Sequence, residues 1–577
     1  MKKNYILAVA LLASTLLAGA QTIDSLSRVE SQWGKALVSS GTNTTTIGGS
    51  LVKGDGGTLY MLADAGTKSS SDVITYGDTQ IGTGTQNTST SYNHDFVLSK
   101  LNATDGSVLW TVKSTVGEIA SGEEWGAKTS DGGVIAAFKV RHTYGRLNDD
   151  LAFVDAKGDT TRLNWTLGAD ATARYYRLLV MKVTADGEIS WIKQIDVNHD
   201  PQPNASESNK DNTGTGAYLY GLVVDNQDNI YLSGRVCTTM YFTRANGDTV
   251  KIVAHNVEGW TGDAQKSVGS LYLVKLDANG NYVNSLVSGG SATCENLRQL
   301  IINNGKIYAC GVISGLANST ITLGDKSATT TGTYSSWALA KVSLDLGTVD
   351  YFKVYESTLS GSAINIPNMY VNDNYVYLMG QAKNTVTAGE TTISTTKTRN
   401  AMLLKVNAAT GELEGGIADA TNQSGFFSPF EDANQNLYVG YFSLLGPLKI
   451  RKYDQATLTL QDEVQLFPNT STVQNMVTDG SNLYAMTRFK GSNLSSKAPA
   501  KAPFVVSSTG FACLISAYTL PFKSVVTGVN DVNVEKTVKA VRYYNLQGME
   551  SAVPHDGLNI KVTTYSDGSR EAVKMLK

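Results

Sequence analysis

The sequence predicts an all-β chain built from repeated units, and three observations support that prediction. A phrase in which polar turn residues precede an alternating strand recurs seven times and is clearest at 221–234. A second phrase, an alternating strand that in most units ends near a Lys and a Gly turn, follows each first phrase and is clearest at 270–281. Turn residues before alternating strands are typical of β-hairpins. Four short strands per unit, repeated and closed in a ring, indicate a seven-bladed β-propeller.

The two phrases keep the same order along the chain. The first occurs at 55–66, 131–138, 228–234, 304–311, 374–380, 434–440 and 480–486. The second occurs at 96–106, 178–187, 271–280, 338–347, 402–411, 449–458 and 511–520.

The two ends of the repeat region predict ring closure. The seventh unit stops near Leu520 without an outermost strand, and the segment 30–39 has a Trp-x-Lys pattern that matches the missing strand. We therefore expect an N-terminal strand to complete the last blade, which removes an open sheet edge. The alternative is that residues 21–40 form a flexible leader.

The first residues predict export. Lys2 and Lys3 precede an apolar stretch at 5–17, and the small residues 18–20 form a cleavage site before Gln21. The apolar stretch is too short to span a membrane, and no later segment reaches that length. A lipoprotein would need Cys at the first mature position. We expect a signal peptide at 1–20 and a secreted or cell-surface protein without a transmembrane segment.

Charge and cysteine content exclude several classes of function. The formal net charge is −3 and the Arg and Lys residues are dispersed, so nucleic-acid binding is not expected. Four cysteines have no CxxC spacing, which argues against a structural zinc site: Cys237, Cys294, Cys310 and Cys513. A disulfide between Cys294 and Cys310 is geometrically conceivable. The alternative is that the cysteines are small buried hydrophobes in strands.

The long connections predict which side of the propeller binds. Tight turns join the first strand to the second and the third to the fourth, whereas the long excursions follow the second strand. They occupy 66–94, 139–175, 235–269, 312–335 and 381–399, and an insertion at 195–216 falls on the same side. Thr-rich hairpins are predicted within them at 73–82, 241–252, 320–329 and 384–394. We interpret these hairpins as a raised rim around the central channel; the alternative is ordinary blade elaboration.

The innermost strands predict a set of ligand-binding residues. Aligning the units places seven side chains at the channel mouth on the long-loop side: Glu124, Trp125, Tyr220, Arg298, Asn368, Phe427 and Gln474. Aromatic, amide and guanidinium groups together suit a glycan or a peptide. Packing between blades is the alternative for the aromatic members. Trp33, Trp110 and Trp191 share one outer-strand position and are interpreted as packing residues, whereas Trp165 and Trp260 lie in long excursions.

One loop predicts a calcium site. In the segment 196–207 the alternation of oxygen-bearing residues matches a calcium loop, with Glu207 at its twelfth position. The predicted ligands are Asp196, Asn198, Asp200 and Glu207. Pro201 stands where such loops usually have Gly, so a solvated loop remains the alternative. No HExxH or Ser-His-Asp pattern is readable, and no other cofactor is predicted.

The repeats resemble the bacterial seven-bladed propeller repeat of secreted proteins over residues 30–520, most closely at VVDNQDNIYLSG and LYLVKLDANGN. The tail resembles the C-terminal sorting modules of Bacteroidetes type IX secretion substrates through YYNLQG, GLNIKV, DGS and AVKMLK. This second resemblance implies a small β-sandwich-like module that engages the secretion machinery. The predicted organisation is 1–20 signal peptide, 21–522 propeller, 523–534 linker and 535–577 sorting-like module.

Three functions remain open at this point. The leading hypothesis is a secreted or cell-surface propeller that recognises a glycan or protein ligand on its long-loop side without catalysis. The first alternative is a carbohydrate-active enzyme, a glycoside hydrolase or polysaccharide lyase, with acids at the channel mouth. Glu123 and Glu124 alone stand near that mouth, and neighbours on a strand point to opposite faces. The second alternative is a structural surface protein.

Overall fold

The computed structural model describes part of the 577-residue chain. The described residues are 25–577 except 42–44, 86–92, 120–124, 142–150, 164–175, 198–216, 238, 256–268, 291–293, 314–317, 332–335, 358–364, 383–384, 389, 395–398, 422, 444–445, 469–471, 499–503, 526–537, 546–547 and 566–569. They form strands and one 3-10 helix, Leu26–Arg28, so the described chain is all-β, as predicted. It divides into two compact units, 1–530 and 531–577.

The described residues of the first unit form seven antiparallel sheets of four or more strands, numbered here in chain order, and one three-stranded sheet. Sheet 1 contains Ile47–Lys53, Thr58–Thr67, Asn93–Asn102, Val108–Val116, Leu151–Val154 and Thr160–Leu163. Sheet 2 contains Trp125–Lys128, Val134–Arg141, Tyr176–Val183, Ile189–Val197, Thr239–Thr243 and Thr249–Val253, with Glu118–Ile119 also paired to its second strand. Sheet 3 contains Ala217–Val224, Ile230–Val236, Ser270–Leu276 and Tyr282–Val287.

The remaining sheets follow the same up-and-down order. Sheet 4 contains Cys294–Asn303, Lys306–Ile313, Ser336–Ser343, Val349–Ser357, Thr385–Ala388 and Thr391–Ser394. Sheet 5 contains Asn365–Val371, Tyr375–Ala382, Asn400–Asn407 and Leu413–Ala418. Sheet 6 contains Ser424–Glu431, Leu437–Ser443, Leu448–Tyr453 and Leu460–Phe467. Sheet 7 contains Thr472–Thr478, Asn482–Ser495, Val505–Thr519, Glu30–Ser39, Val73–Tyr76 and Thr79–Thr83.

The first strands of the seven sheets contact one another in sequence, and the first strand of sheet 7 contacts that of sheet 1. Glu30–Ser39 pairs antiparallel with Val505–Thr519, with Leu37 opposite Cys513. An N-terminal strand is thus the fourth strand of the last sheet. The two ends of the repeat region are therefore joined by a strand ladder.

The inserted hairpins extend neighbouring sheets at their outer edges. The hairpin Val73–Tyr76 and Thr79–Thr83 follows the second strand of sheet 1 in the chain, but it pairs with the outer strand of sheet 7. Hairpins from sheets 2, 3 and 5 pair in the same way with the outer strands of sheets 1, 2 and 4. The hairpin Ser319–Leu323 and Lys326–Thr330 pairs with Gly289–Gly290, which directly follows sheet 3. The predicted rim around the channel is therefore wrong for these hairpins, because a fourth strand is the one farthest from the inner strands.

Tight turns at the other end of the strands are held by aspartates of the repeat. Asp225 Oδ1 accepts hydrogen bonds from the backbone N–H groups of Gln227 and Asn229, both 2.9 Å. Its Oδ2 accepts the Tyr231 hydroxyl at 2.9 Å, and that hydroxyl also contacts the Leu344 carbonyl of sheet 4 at 2.9 Å. An equivalent Asp–Asn–Tyr set recurs at Asp432, Asn436 and Tyr438. The repeated Asp and Tyr thus close each turn and link it to its surroundings.

The repeated Lys also links neighbouring sheets. Lys100 Nζ donates to the Ala185 carbonyl at 2.9 Å and lies 5.5 Å from the centre of the Tyr60 ring. Lys341 repeats this with the Ala408 carbonyl, 3.1 Å, and the Tyr308 ring, 5.3 Å. In both cases the Lys ammonium group donates to a backbone carbonyl and lies near the face of a Tyr ring, and both partners belong to the repeated units.

Tryptophans of the outer strands pack in the same place. Trp33 Nε1 donates to the Ala103 carbonyl, and Trp110 Nε1 to the Ala185 carbonyl, both at 3.0 Å. Each bond joins one sheet to the next. These two hydrogen bonds are the physical basis of the packing role that the sequence predicts for Trp33 and Trp110.

The sheets enclose apolar layers, and three cysteines belong to them. Cys237, Cys310 and Cys513 are buried, and burial raises the pKa of the Cys310 thiol to about 12. Cys294 lies opposite Ile313, whereas Cys310 lies opposite Gln299. Three residues of strand separate Cys310 from Ile313, roughly 10 Å, which exceeds the Cα separation of a disulfide. The geometry therefore excludes a bond between Cys294 and Cys310.

The second unit, 531–577, has one described sheet. Its strands lie in the order Glu550–Ser551, Val538–Tyr544, Leu558–Tyr565 and Arg570–Leu576. A sandwich needs two facing sheets, so the predicted β-sandwich is not what the described residues form. Asn559 closes a turn by donating to the carbonyls of His555 and Gly557, 2.7 and 2.8 Å.

Candidate functional site

Bulges interrupt most of the first strands. The pairing register shifts within the first strand of six of the seven sheets, all except sheet 2. In sheets 3, 4 and 7 the extra residue is Tyr220, Arg298 and Gln474, respectively. A bulge re-aims its side chain and is common beside binding sites. Three residues that the sequence predicts at the channel mouth are thus the bulged ones.

Tyr220 and Arg298 belong to a stack of rings and cations. The Tyr218 and Tyr220 rings lie parallel, with centres 5.5 Å apart and planes 7° apart. Arg298 Cζ lies 4.4 Å from the centre of the Tyr220 ring, so the stack joins sheets 3 and 4. Lys139 Nζ and Arg235 Cζ lie 4.1 and 4.6 Å from the centre of the Tyr218 ring. We call these five residues the Tyr–Arg stack.

The backbone of Tyr218 is held in place by neighbouring strands of sheet 3. The Tyr218 carbonyl accepts the Tyr272 hydroxyl at 2.8 Å. A Cβ atom on Gly234 would lie 1.9 Å from the same carbonyl oxygen and 2.8 Å from the Tyr272 hydroxyl. Glycine is therefore required at position 234 by close approach of the backbone. Preorganisation of this kind lowers the cost of binding.

Two members of the predicted ligand set lie in packing positions. Phe427 is 4% exposed and its ring lies 6.0 Å from that of Phe442, centre to centre. Its prediction as a ligand-binding residue is corrected, because so buried a ring cannot offer its face to a ligand. Trp125 is half-buried and its Nε1 donates to the Leu219 carbonyl at 3.2 Å, joining sheet 2 to sheet 3.

The other members are placed as follows. Asn368 is half-buried and faces Met379, just after the bulge in sheet 5. Its neighbour Met369 donates its N–H to Gln299 Oε1, 2.5 Å, which links sheets 4 and 5. Glu124 and the side chain of Gln474 lie outside the described residues, as do Trp165 and Trp260.

The predicted calcium loop is described only at its start. Asn198, Asp200 and Glu207 lie outside the described residues. Asp196 Oδ1 lies 3.2 Å from Arg177 Nε and accepts a hydrogen bond from Gln194 Nε2 at 3.0 Å. A guanidinium at this oxygen opposes a cation there. No group of three or more His, Cys, Asp or Glu side chains in the described part of the chain could hold a metal ion.

The structure brings together a histidine and an aspartate that the sequence did not predict to be neighbours. His94 Nδ1 lies 3.2 Å from Asp64 Oδ1, and the Asp64 side chain is buried. Asp64 also accepts the Ile47 N–H at 3.3 Å. The two residues are thirty positions apart, but their strands pair with Gly66 opposite His94. Aligning those two strands on the repeat would have revealed the pair.

A second buried carboxyl lies next to it in sequence. Asp95 is 1% exposed, and burial raises the pKa of its carboxyl. Hydrogen bonds from the Thr67 hydroxyl, 2.5 Å, and the Thr85 hydroxyl, 2.7 Å, oppose that shift. The threonines thus hold an acid that burial drives toward its neutral form.

No family model matches the chain. No curated protein matches it either. Among solved structures, the Dos1 propeller shares 8% identity at a TM-score of 0.35, covering 88% of this chain and 99% of that one. A quinohemoprotein alcohol dehydrogenase, ADHIIG from Pseudomonas putida HK5, shares 11% at 0.37, covering 87% and 77%. A protein of unknown function from Dyadobacter fermentans DSM 18053 shares 11% at 0.34, covering 70% and 95%.

These similarities include propeller and enzyme structures, and with TM-scores below 0.5 they support no argument about activity. The strand pairing within the chain itself shows the all-β fold of the described residues. The described residues contain no helix that is both long enough and apolar enough to cross a membrane.

Proposed function

We propose that this chain is a seven-bladed β-propeller, secreted or displayed at the cell surface, that binds a glycan without catalysis on its long-loop side. The seven sheets are its blades, and Glu30–Ser39 closes the ring. The observation that supports binding is the Tyr–Arg stack, in which the bulged residues Tyr220 and Arg298 meet. Export and sorting through the tail remain proposals from the sequence.

The stack suits recognition better than core packing. A guanidinium that lies flat on an aromatic ring is attracted to the face of the ring, while the N–H donors of the guanidinium point outward in the guanidinium plane. A stacked guanidinium can therefore keep its place on a ring while it donates in its own plane. The rings and guanidinium groups of the Tyr–Arg stack are half-buried and Lys139 is buried, so the stack is a partly exposed polar group with fixed geometry, which binding requires.

A binding screen tests this function. The mature chain, 21–577, would be screened against plant, bacterial and host glycans, with and without calcium, and every hit assayed for new reducing ends. We expect binding without turnover, weakened at least about tenfold by Tyr220→Ala. Equal binding by wild type and variant would place the ligand elsewhere, and no glycan hit would contradict glycan recognition.

A carbohydrate-active enzyme is the second candidate, and the His94–Asp64 pair favours it. The buried Asp64 carboxylate, 3.2 Å from Nδ1, would stabilise the positive charge that a histidine gains when it acts as a general base. New reducing ends that disappear with His94→Gln, while that variant unfolds at the same temperature, would establish catalysis. Persistence of the products in the variant would exclude His94 as the base.

A further inference from the structure

We propose a second binding site, between sheets 7 and 1 on the tight-turn side, that takes a primary ammonium on an unbranched alkyl chain. This is the chemistry of a lysine side chain. The site goes beyond the proposed function and does not depend on it. A tyrosine ring and a backbone carbonyl, the two partners of the repeated lysine elsewhere in the molecule, line one cavity there, and the chain supplies no lysine at the equivalent position.

Sheet 7 departs from the repeat at the position of its lysine. In sheet 1, Lys100 on the third strand lies opposite Tyr60 and Trp110. In sheet 7, Ala517 on the third strand lies opposite Tyr484 and Trp33 in the same way. The other six sheets all have a lysine at this position: Lys100, Lys182, Lys275, Lys341, Lys405 and Lys452. Sheet 7 therefore keeps both aromatic neighbours of the lysine and replaces the lysine itself with alanine.

The carbonyl that such a lysine would reach is also present. In sheet 2 the Ala185 carbonyl accepts both Trp110 Nε1 and Lys100 Nζ, at 3.0 and 2.9 Å. The Ala103 carbonyl of sheet 1 accepts Trp33 Nε1 at 3.0 Å, which is the equivalent of the first of these bonds. A carbonyl oxygen has two lone pairs. By the geometry of the repeat, the second lone pair at Ala103 is placed for an ammonium.

The ring and the carbonyl line a cavity that an outside ligand can enter. The cavity has a volume of about 400 Å³, and it is lined by Tyr484 and Asp479 of sheet 7 and by Ala103 of sheet 1. Gly57 lies at its edge, where it is exposed, and nothing lies within 4 Å of the position that its Cβ atom would take. A volume of this size admits a side chain or a small ligand.

The charge of the lining favours a cation. Asp479 Oδ2 accepts the Tyr484 hydroxyl at 2.7 Å. Burial alone would raise the pKa of the Asp479 carboxyl, but hydrogen bonds from Asn482, Ser481 and Tyr484 outweigh burial and lower that pKa. Asp479 is therefore ionised at neutral pH, and an ammonium beside it gains a charge-assisted interaction.

Two further charged residues line the cavity, and they set the competing explanation. Asp55 contacts Lys128 Nζ at 2.6 Å, so its charge is already paired. Lys53 lies at the end of the first strand of sheet 1. Its ammonium is the chain's own alternative occupant of the cavity, and a variant at this residue separates the two explanations.

A chemically matched pair of ligands tests the inference. Nα-acetyl-lysine methylamide and its Nε-acetylated form would be titrated into the mature chain, 21–577, and followed by ligand-observed NMR, with n-butylamine as a free amine. We expect the lysine compound to bind and Nε-acetylation to weaken it at least about tenfold. Tighter binding of the lysine compound than of butylamine would support a peptide source for the ammonium, and equal binding a free amine.

The matched variants are Ala517→Lys and Ala409→Lys. Ala517→Lys supplies the ammonium of the repeat from within the chain, so we expect it to weaken the lysine compound at least about tenfold and to unfold no earlier than wild type. Ala409→Lys adds the same charge to an exposed turn of sheet 5 and should bind as wild type does. If Ala517→Lys unfolds early, Ala517→Met, of similar length and without charge, should also block binding.

The outcomes separate this site from the glycan site and from Lys53. Equal binding of the two lysine compounds, or binding of neither them nor butylamine, would overturn the inference. Unchanged binding by a folded Ala517 variant would also overturn it, because the ligand would then lie elsewhere. Binding that appears only in Lys53→Met would identify Lys53 as the native occupant and overturn it too. Glycan affinity should be the same in Ala517→Lys as in wild type, so the two sites are tested independently.

Discussion

The two ends of the strands differ in what their polar side chains contact. On the tight-turn side, Asp225 and Tyr231 are bonded to one another and to the backbone, and Lys100 reaches a carbonyl of the next sheet. On the long-loop side, Arg298 and Tyr220 are bulged residues, and the guanidinium of Arg298 lies over the Tyr220 ring. The repeat therefore stabilises one side of the sheets, whereas the other side varies from unit to unit.

The largest loss of stability is expected from a substitution at Gly234, in the second strand of sheet 3. Gly234→Ala places a Cβ 1.9 Å from the Tyr218 carbonyl, so the bulged strand must move. We expect a loss of about 3 kcal/mol in the free energy of unfolding, together with loss of glycan binding. Denaturant unfolding and calorimetry check this. Gly415→Ala is the control, since nothing lies within 4 Å of its Cβ position.

An ion network around Arg451 in sheet 6 serves stability rather than recognition. Arg451 donates to Asp419 at 2.5 Å and to Glu463 at 2.6 Å. Burial alone would raise the pKa of both carboxyls, but hydrogen bonds from Arg451, from Thr421 to Asp419 and from Lys449 to Glu463 outweigh it and lower both pKa values. Their stabilisation is present above the unfolded pKa of about 4 and is lost as pH falls through the folded values.

Arg451→Met should therefore destabilise the protein by about 2 kcal/mol at pH 7, with the difference from wild type shrinking as the pH falls below 4. Urea unfolding at several pH values measures it. Lys157→Met, which breaks an exposed pair with Glu188, should cause no measurable change. A pH-independent difference would contradict the assigned carboxylates.

Removing one hydroxyl on the tight-turn side should cost stability only. Tyr231→Phe removes the bonds to Asp225 and to the Leu344 carbonyl, and we expect about 1.5 kcal/mol less free energy of unfolding with unchanged glycan affinity. Tyr241→Phe, in the outer hairpin, is the control and should match wild type. A fall in affinity would show that the two sides are coupled.

The smallest effect tests the reassignment of Trp125. Trp125→Phe removes the bond to the Leu219 carbonyl, and Trp110→Phe removes an equal bond to the Ala185 carbonyl. Both should lose about 1 kcal/mol in unfolding free energy and keep their glycan affinity. Weaker binding by the Trp125 variant alone would restore Trp125 to the ligand site.

Strand order and the N-terminal strand of sheet 7 were readable in the sequence, because the repeat forces each Tyr and Lys into the same local environment. The path of the hairpins was not. The segment 73–82 reads as a hairpin, but its partner, the outer strand of sheet 7, lies far away in sequence. Local alternation specifies a strand and not its neighbour.

The candidate site was predictable in position rather than in chemistry. Aligning the units placed Tyr220 and Arg298 on the inner strands. Their stacking, however, depends on bulges, and no turn residue in the sequence predicts those bulges. Phe427 was misplaced because a register shift of that strand moves a side chain from one face to the other. Lys139 and Arg235 lie on second strands, outside the positions that were aligned.

The most direct test is one paired measurement, thermal unfolding and affinity for the glycan that the screen identifies, on Tyr231→Phe and Arg298→Gln. We expect Tyr231→Phe to unfold at a lower temperature and to bind as wild type does. We expect Arg298→Gln to lose affinity and to change its unfolding temperature less. The reverse pattern, or equal loss of both properties in both variants, would contradict the division between a stabilising side and a recognising side.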